Sequence, residues 1–132
     1  MVDNSFLSDK TISLGETLLT RLDRSVFKPS AFLWFYFADA QTWRLIIAAD
    51  VFAKRPIAES YRDFIEEFRS NPHIGTVGLE NITLLSPRDG LLELLRTVPF
   101  IHTAAEDISG IRFKSNVINN VFISDVYIYR LT

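Results

Sequence analysis

The stretch Phe32-Leu33-Trp34-Phe35-Tyr36-Phe37, broken by Asp39-Ala40-Gln41 and resumed as Trp43-Arg44-Leu45-Ile46-Ile47-Ala48-Ala49, decides the fold. Aromatic and β-branched residues favour extended chain, so two such runs around a short polar break read as an antiparallel hairpin. A strand alternates its side chains between two faces, and here Phe32/Trp34/Tyr36 and Leu33/Phe35/Phe37 are both apolar. Leaving either face to water would expose an apolar patch of roughly a few hundred Å², which soluble monomers rarely carry. Both faces therefore need a cover. Helices supply one, and a second copy of the chain meeting Phe32, Trp34 and Tyr36 is the expected other, a homodimer through the aromatic hairpin. The competing solution is intramolecular, with a helix or the N-terminal segment crossing over to make three layers.

Outward from the hairpin, the chain punctuates itself clearly. A first helix begins at Ser8 or Asp9, either of which can cap its free amides, carries Ile12, Leu19, Leu22 and Val26 at helical spacing, and ends by Lys28-Pro29. A second runs from Pro56 to Arg69 with Ile57, Tyr61, Phe64, Ile65 and Phe68 as its apolar stripe and Glu59, Arg62, Asp63, Glu66, Glu67 and Arg69 opposite. Asn71-Pro72 stops it, and Leu79 to Leu85 reads as a strand. Ser86-Pro87-Arg88-Asp89 then reads as a cap, with Ser86 at the N-cap, in front of Leu91, Leu92, Leu94, Leu95 and Val98. Ile111 to Lys114 alternates, Asn116 to Asn120 supplies a turn, and Val121 to Leu131 is a long β-rich run. Strict alternation in that last strand puts Val121, Ile123, Asp125, Tyr127, Tyr129 and Leu131 on one face and Phe122, Ser124, Val126, Ile128 and Arg130 on the other. The order α-β-β-α-β-α-β-β predicts an α+β fold, a two-layer sandwich with a mostly antiparallel sheet of about five strands and about three helices. With 132 residues it forms one domain spanning 1–132.

Composition narrows the function classes. Hydrophobic residues make up 48% of the chain and aromatic residues 13%, enough for a real core, which excludes a disordered or low-complexity segment. Fourteen Lys and Arg against sixteen Asp and Glu give a net charge of -2 with the signs mixed throughout, so no basic stripe favours nucleic acid. The absence of cysteine removes disulfides, thiolate nucleophiles and cysteine-based metal sites together. Neither a signal peptide nor a membrane-length apolar run occurs, and a cytoplasmic protein away from the membrane is the expectation.

Two stretches carry a resemblance. Ser30-Ala31-Phe32 through Trp43-Arg44-Leu45-Ile46-Ile47-Ala48, with Tyr61 beyond, and Gly110-Ile111-Arg112-Phe113 through Ile123-Ser124-Asp125-Val126-Tyr127-Ile128-Tyr129-Arg130-Leu131 resemble a family of small uncharacterised bacterial α+β proteins. The resemblance implies a stand-alone domain and brings no catalytic residue with it.

Candidate chemistry is sparse. His102 and Glu106 would share a helix face at a spacing of four, but Pro99 upstream argues against a helix there. His73 reads as a solvent-facing loop residue, and Gly75-Thr76-Val77-Gly78 lacks the endings of a phosphate-binding loop. Neither a nucleophile elbow nor calcium-loop spacing occurs, so no metal and no cofactor is expected. Asp50 ends the hairpin and serves best as a turn or cap into the second helix. Arg44, Arg112, Lys114, Asp125 and Arg130 break the apolar pattern of their strands, and a buried Asp125 demands a cationic partner, for which Arg44 is a candidate.

Arg44, Asp50, His102, Asp125 and Arg130 are thus the candidate binding residues. Two readings follow. The first is a non-catalytic association module; the second is a small hydrolase or transferase, on a nucleotide or nucleic-acid substrate, whose Asp, Glu, Arg and His residues converge only in the fold. A deep cavity lined by at least three of Arg44, Asp50, His102, Glu106, Asp125 and Arg130 would favour the enzyme.

Overall fold

A computed structural model describes residues 6–69, 71–72 and 77–132, so His73 and Gly75 lie outside the described residues. The aromatic hairpin forms β1 (Ala31–Phe37) and β2 (Thr42–Ala48), paired antiparallel with Trp34 opposite Leu45. Around it are α1 (Asp9–Asp23), α2 (Asp50–Ala53), α3 (Ile57–Phe68), β3 (Ile82–Leu85), α4 (Gly90–Arg96), β4 (Ile111–Ile118) and β5 (Val121–Leu131). The fold is α+β, with sheet order β3-β2-β1-β5-β4. Strand β3 runs parallel to β2, because the connection between them passes through α2 and α3 rather than a tight turn. The other neighbours are antiparallel.

Strand β1 lies at the centre, and its two apolar faces are covered from within the chain. Phe32 and Trp34 pack under Leu18, Leu19 and Leu22 of α1, in one cluster with Phe64 and Phe68 of α3. Leu33 and Phe35 meet Leu92 and Leu95 of α4 and Ile101 beyond it. The helical layer expected over one face is formed by α1 and α3, while α4 and the segment after it add a smaller layer over the other. The expected interface of Phe32, Trp34 and Tyr36 is corrected accordingly: Phe32 and Trp34 are buried in the core, and Tyr36 packs against it with its ring 5.3 Å from that of Trp43. Helices α1 and α3 cover that face, and α4 covers the other, which removes the need for a second copy.

Several boundaries move for local reasons. Ser8 caps α1 by accepting from the Thr11 amide. The helix stops at Asp23, where the Arg24 and Ser25 amides turn back to the Arg21 and Leu22 carbonyls, and Val26 is left exposed. In α3 the buried residues are Ser60, Phe64 and Phe68, one face at a spacing of four, which leaves Ile65 at its rim. Tyr61 is partly buried, and its hydroxyl accepts from the Leu84 amide, tying α3 to β3. Ser86 opens a turn closed by the Asp89 amide, so Asp89 becomes the cap of α4 by accepting from the Leu91 amide. The final turn contracts to Asn119-Asn120, both at positive φ, the conformation a two-residue hairpin turn requires.

Strand β5 does not keep strict alternation. Its pairing with β1 shifts register between Phe32 and Leu33, where Phe32 faces Arg130 but Leu33 faces Ile128. Leu131 therefore joins Val126 and Ile128 on the α4 side, where Ile123 also lies, while Tyr127 and Tyr129 face α1. The Tyr129 hydroxyl donates to the Ile12 carbonyl of α1 at 2.7 Å and accepts from the Trp34 indole N–H at 3.1 Å. That phenol fits only because α1 has a glycine above it, since a Cβ on Gly15 would collide with its oxygen.

Two stability outcomes are expected. Gly15→Ala should destabilise despite alanine's gain of about 1 kcal/mol in helix propensity, because Tyr129 must leave both bonds, and the loss should shrink in a Tyr129→Phe background. Phe64→Ala should cost about 3–5 kcal/mol from lost transfer energy and the cavity. Urea unfolding checks both; an unchanged or raised midpoint for Gly15→Ala would refute the first, and a Phe64→Ala shift below about 1 kcal/mol the second.

Candidate functional site

At the end of the sheet where Ala31 pairs with Leu131, the register shift delivers Arg130 into the molecule. Its guanidinium is 1% exposed and holds Asp23 at the end of α1 in a two-pronged pair, Nη1 to Oδ1 at 2.6 Å and Nη2 to Oδ2 at 2.9 Å. Nη1 also donates to the Pro29 carbonyl and Nε to the Asp107 carbonyl. One side chain thus joins α1, the chain entering β1, β5 and the 104–109 segment. Arg130 and Asp23, with Lys28, Ser30 and Glu106, line a cleft of about 520 Å³.

Asp125 is buried at 7% exposure, and its partner is Arg112, not Arg44. Both Arg112–Asp125 contacts, Nε to Oδ1 and Nη2 to Oδ2, are 2.6 Å long. The pair raises the arginine's pKa, chiefly through the hydrogen bond to Asp125. Lys114 Nζ stands 4.0 Å from the same carboxylate, and the Arg112 guanidinium lies 5.5 Å from the Trp43 ring centre. Trp34 and Trp43, with Lys10, Thr11 and Asn81, border a second cleft of about 440 Å³ beside α1. Burial pushes the Tyr129 hydroxyl far above the ordinary tyrosine range, and burial followed by the charge of Glu16 raises Tyr127.

The remaining candidates lie apart. Arg44 projects toward the β3 side, donating to Thr83 Oγ1 at 2.7 Å, on the opposite sheet face from Trp43 and Leu45, which is why it cannot reach Asp125. Asp50 is the exposed first residue of α2. His102 lies in an irregular segment with Nε2 2.7 Å from the Arg96 carbonyl oxygen, so it shares no helix face with Glu106. Of the six residues proposed to converge, Arg130 and Glu106 share a cleft, short of three. Among the described residues no three His, Asp or Glu side chains gather as a metal site needs, and no helix is long and apolar enough to cross a membrane.

Two features escaped the sequence. Asp23 reads as one more polar residue of α1, and nothing marks a partner 107 positions away. The β4–β5 hairpin also outruns its neighbour: β1 pairing ends at Tyr36–Asp125, whereas β4 and β5 continue to Ile118–Val121. Val117 and Phe122, directly opposite each other on this ribbon, are 61% and 60% exposed, with Val121 beside them. Residues Val121 and Phe122, with Phe37 and Leu91, border a groove of about 390 Å³. The length mismatch between β1 and β5 was the available signal.

Comparison with known proteins returns no match: no family model, curated protein or solved structure aligns with this chain.

Two outcomes test the buried polar groups. Asp23→Asn leaves Arg130 without a counter-charge and should cost about 3 kcal/mol, the lower end for breaking a buried pair, since Asp23 keeps part of its side chain in water; a urea-unfolding loss under about 1 kcal/mol would mark the pair as incidental. For Tyr129, the unfolded phenol ionises near about 10 while the folded one resists. Stability should therefore be unaffected below that pH and fall as pH rises above it. Ultraviolet titration should show late-titrating phenol that Tyr129→Phe removes; four tyrosines titrating together near the ordinary value would contradict this.

Proposed function

We propose that this chain is a non-catalytic association module that self-associates through the free end of its β4–β5 ribbon. The observation that carries the reading is the ribbon itself, a two-stranded extension without a third strand, bearing Val117, Val121 and Phe122 in water. Isolated two-stranded ribbons are marginal in water, and exposed apolar patches on soluble proteins are usually in use. Phe122 stands beside a groove bordered by Phe37 and Leu91, so a two-fold arrangement can set the ribbon of each copy against the groove of the other. Extension of the sheet edge is disfavoured, because Arg112 and Lys114 lie on β4 and Ser115 breaks the strand at positive φ. The contact is therefore made by side chains, and with three exposed apolar residues and one groove per copy it belongs among weak, transient associations, below about 1,200 Å² of buried surface.

Sedimentation should show a mass that rises with concentration across the range from about 1 μM to 1 mM, with Phe122→Glu returning the chain to monomer without loss of stability. A constant monomer mass over that range rejects the reading.

A further inference from the structure

The Arg130 cleft lies at the opposite end of the sheet from the ribbon, and its chemistry is of a different kind. Its floor is electrically closed: Asp23 neutralises Arg130, and four of the guanidinium's five N–H donors are taken, one at Nε, two at Nη1 and one at Nη2. One Nη2 hydrogen has no acceptor assigned. Ser30 Oγ, also on the wall, is buried without any hydrogen-bond partner, a state that ordinarily costs about 1–3 kcal/mol. Lys28 and Glu106 stand on the same cleft with opposite charges, and among the described residues neither forms an ion pair with the other or with a third group.

We propose that this cleft binds a small zwitterion of the free α-amino acid class. Its carboxylate is taken by Lys28 and by the Ser30 hydroxyl, which turns about its Cα–Cβ bond from its buried position into the cleft, and its ammonium by Glu106. The charge balance selects this class. A simple anion drawn by Lys28 meets Glu106 and Asp23 in the same walls, and a simple cation meets Lys28, whereas a molecule with one charge of each sign satisfies both unpaired groups. The orphaned Ser30 hydroxyl gains its missing acceptor from the carboxylate. Pro29 and Ala105 supply apolar wall for a side chain, and about 520 Å³ falls within the range of small-molecule sites.

The test titrates isotope-labelled full chain with L-serine, L-leucine and L-phenylalanine, and with propionate and ethylamine as single-charge controls, following backbone amide resonances. The expected result is saturable shifts confined to residues 28–30, 105–106 and 130–132 for at least one amino acid, with weaker or no response to either control. Lys28→Met and Glu106→Gln, both on exposed side chains, should each weaken that binding at least tenfold while leaving the urea midpoint unchanged. Absence of saturable shifts at about 10 mM, tenfold above a millimolar Kd, overturns the proposal. So does propionate binding as tightly as the amino acids, which would mark a plain anion site, or saturation that both variants leave unchanged. The oligomer measurements are read separately, so either proposal can fail alone.

Discussion

A seven-residue strand without a polar face, Ala31–Phe37, occupies the middle of the sheet, and the remaining elements keep water from it. Its backbone is paired on both edges by β2 and β5, and both side-chain faces are roofed by helices from the same chain. Burying a large apolar side chain is worth about 1.5–3 kcal/mol, so the six consecutive apolar residues from Phe32 to Phe37 set a strong preference for any topology that covers both sides. That preference explains why a helix as short as α4, with seven residues, is placed where it is: Leu92 and Leu95 need only close over Leu33 and Phe35. The larger roof, α1 and α3, can then carry the more exacting contact, the Tyr129 phenol seated under Gly15.

The irregularities of β5 distribute the polar chemistry. Had alternation continued unbroken, Arg130 would face the α4 layer with Val126 and Ile128, among leucines and without Asp23. The extra residue at the Phe32–Leu33 register shift turns it toward the end of α1 instead. Farther along the ribbon, Ser115 at positive φ lies between the paired positions Lys114–Asp125 and Asn116–Ile123, and across this stretch Ile123 and Val126 come to share a face. Asp125 follows the alternation of Tyr127 and stands on the Trp43 side, where Arg112 grips both of its oxygens. Bulges that re-aim a side chain are a recurrent device of β structure, and here the one at Phe32–Leu33 decides that Arg130 meets Asp23.

Much of this was legible in the residues. The hairpin, the α+β class, the cap at Ser8 and the Phe64–Phe68 face of α3 follow from periodicity and turn chemistry, because each is set by neighbours within a few positions. The parallel pairing of β3, the crossing of α4 and the partners of Asp125 and Arg130 do not, since each is decided between segments far apart in sequence. Arg112 and Arg44 illustrate the limit. Both interrupt an apolar strand, and the sheet order, which sets β5 beside β4 and apart from β2, together with the face Arg44 takes, determines that the first and not the second answers Asp125. The candidate site shares that fate: Arg130 stood out as a charge in a strand, while Asp23 and Lys28 carried no mark until the fold brought them beside it.

The pattern of occupied and unoccupied polar groups bears on what kind of activity the fold can support. A side chain that shuttles a proton or stabilises a developing charge must be able to exchange its partner during the reaction. Three buried groups are committed: Asp125 has both oxygens on Arg112, Arg130 is gripped by Asp23 and two carbonyls, and the Tyr129 hydroxyl both donates and accepts. Replacing any one of them strands its partner in a poorly solvated place, so they act as fasteners between elements. Among the described residues, the buried Trp43 Nε1 and Ser60 Oγ are uncommitted, while the lone charges of Lys28 and Glu106 around an orphaned hydroxyl and the bare apolar ribbon tip stand at opposite ends of β1. The separation by the full length of the central strand would let the proposed ligand and the proposed partner copy bind without competing for the same surface.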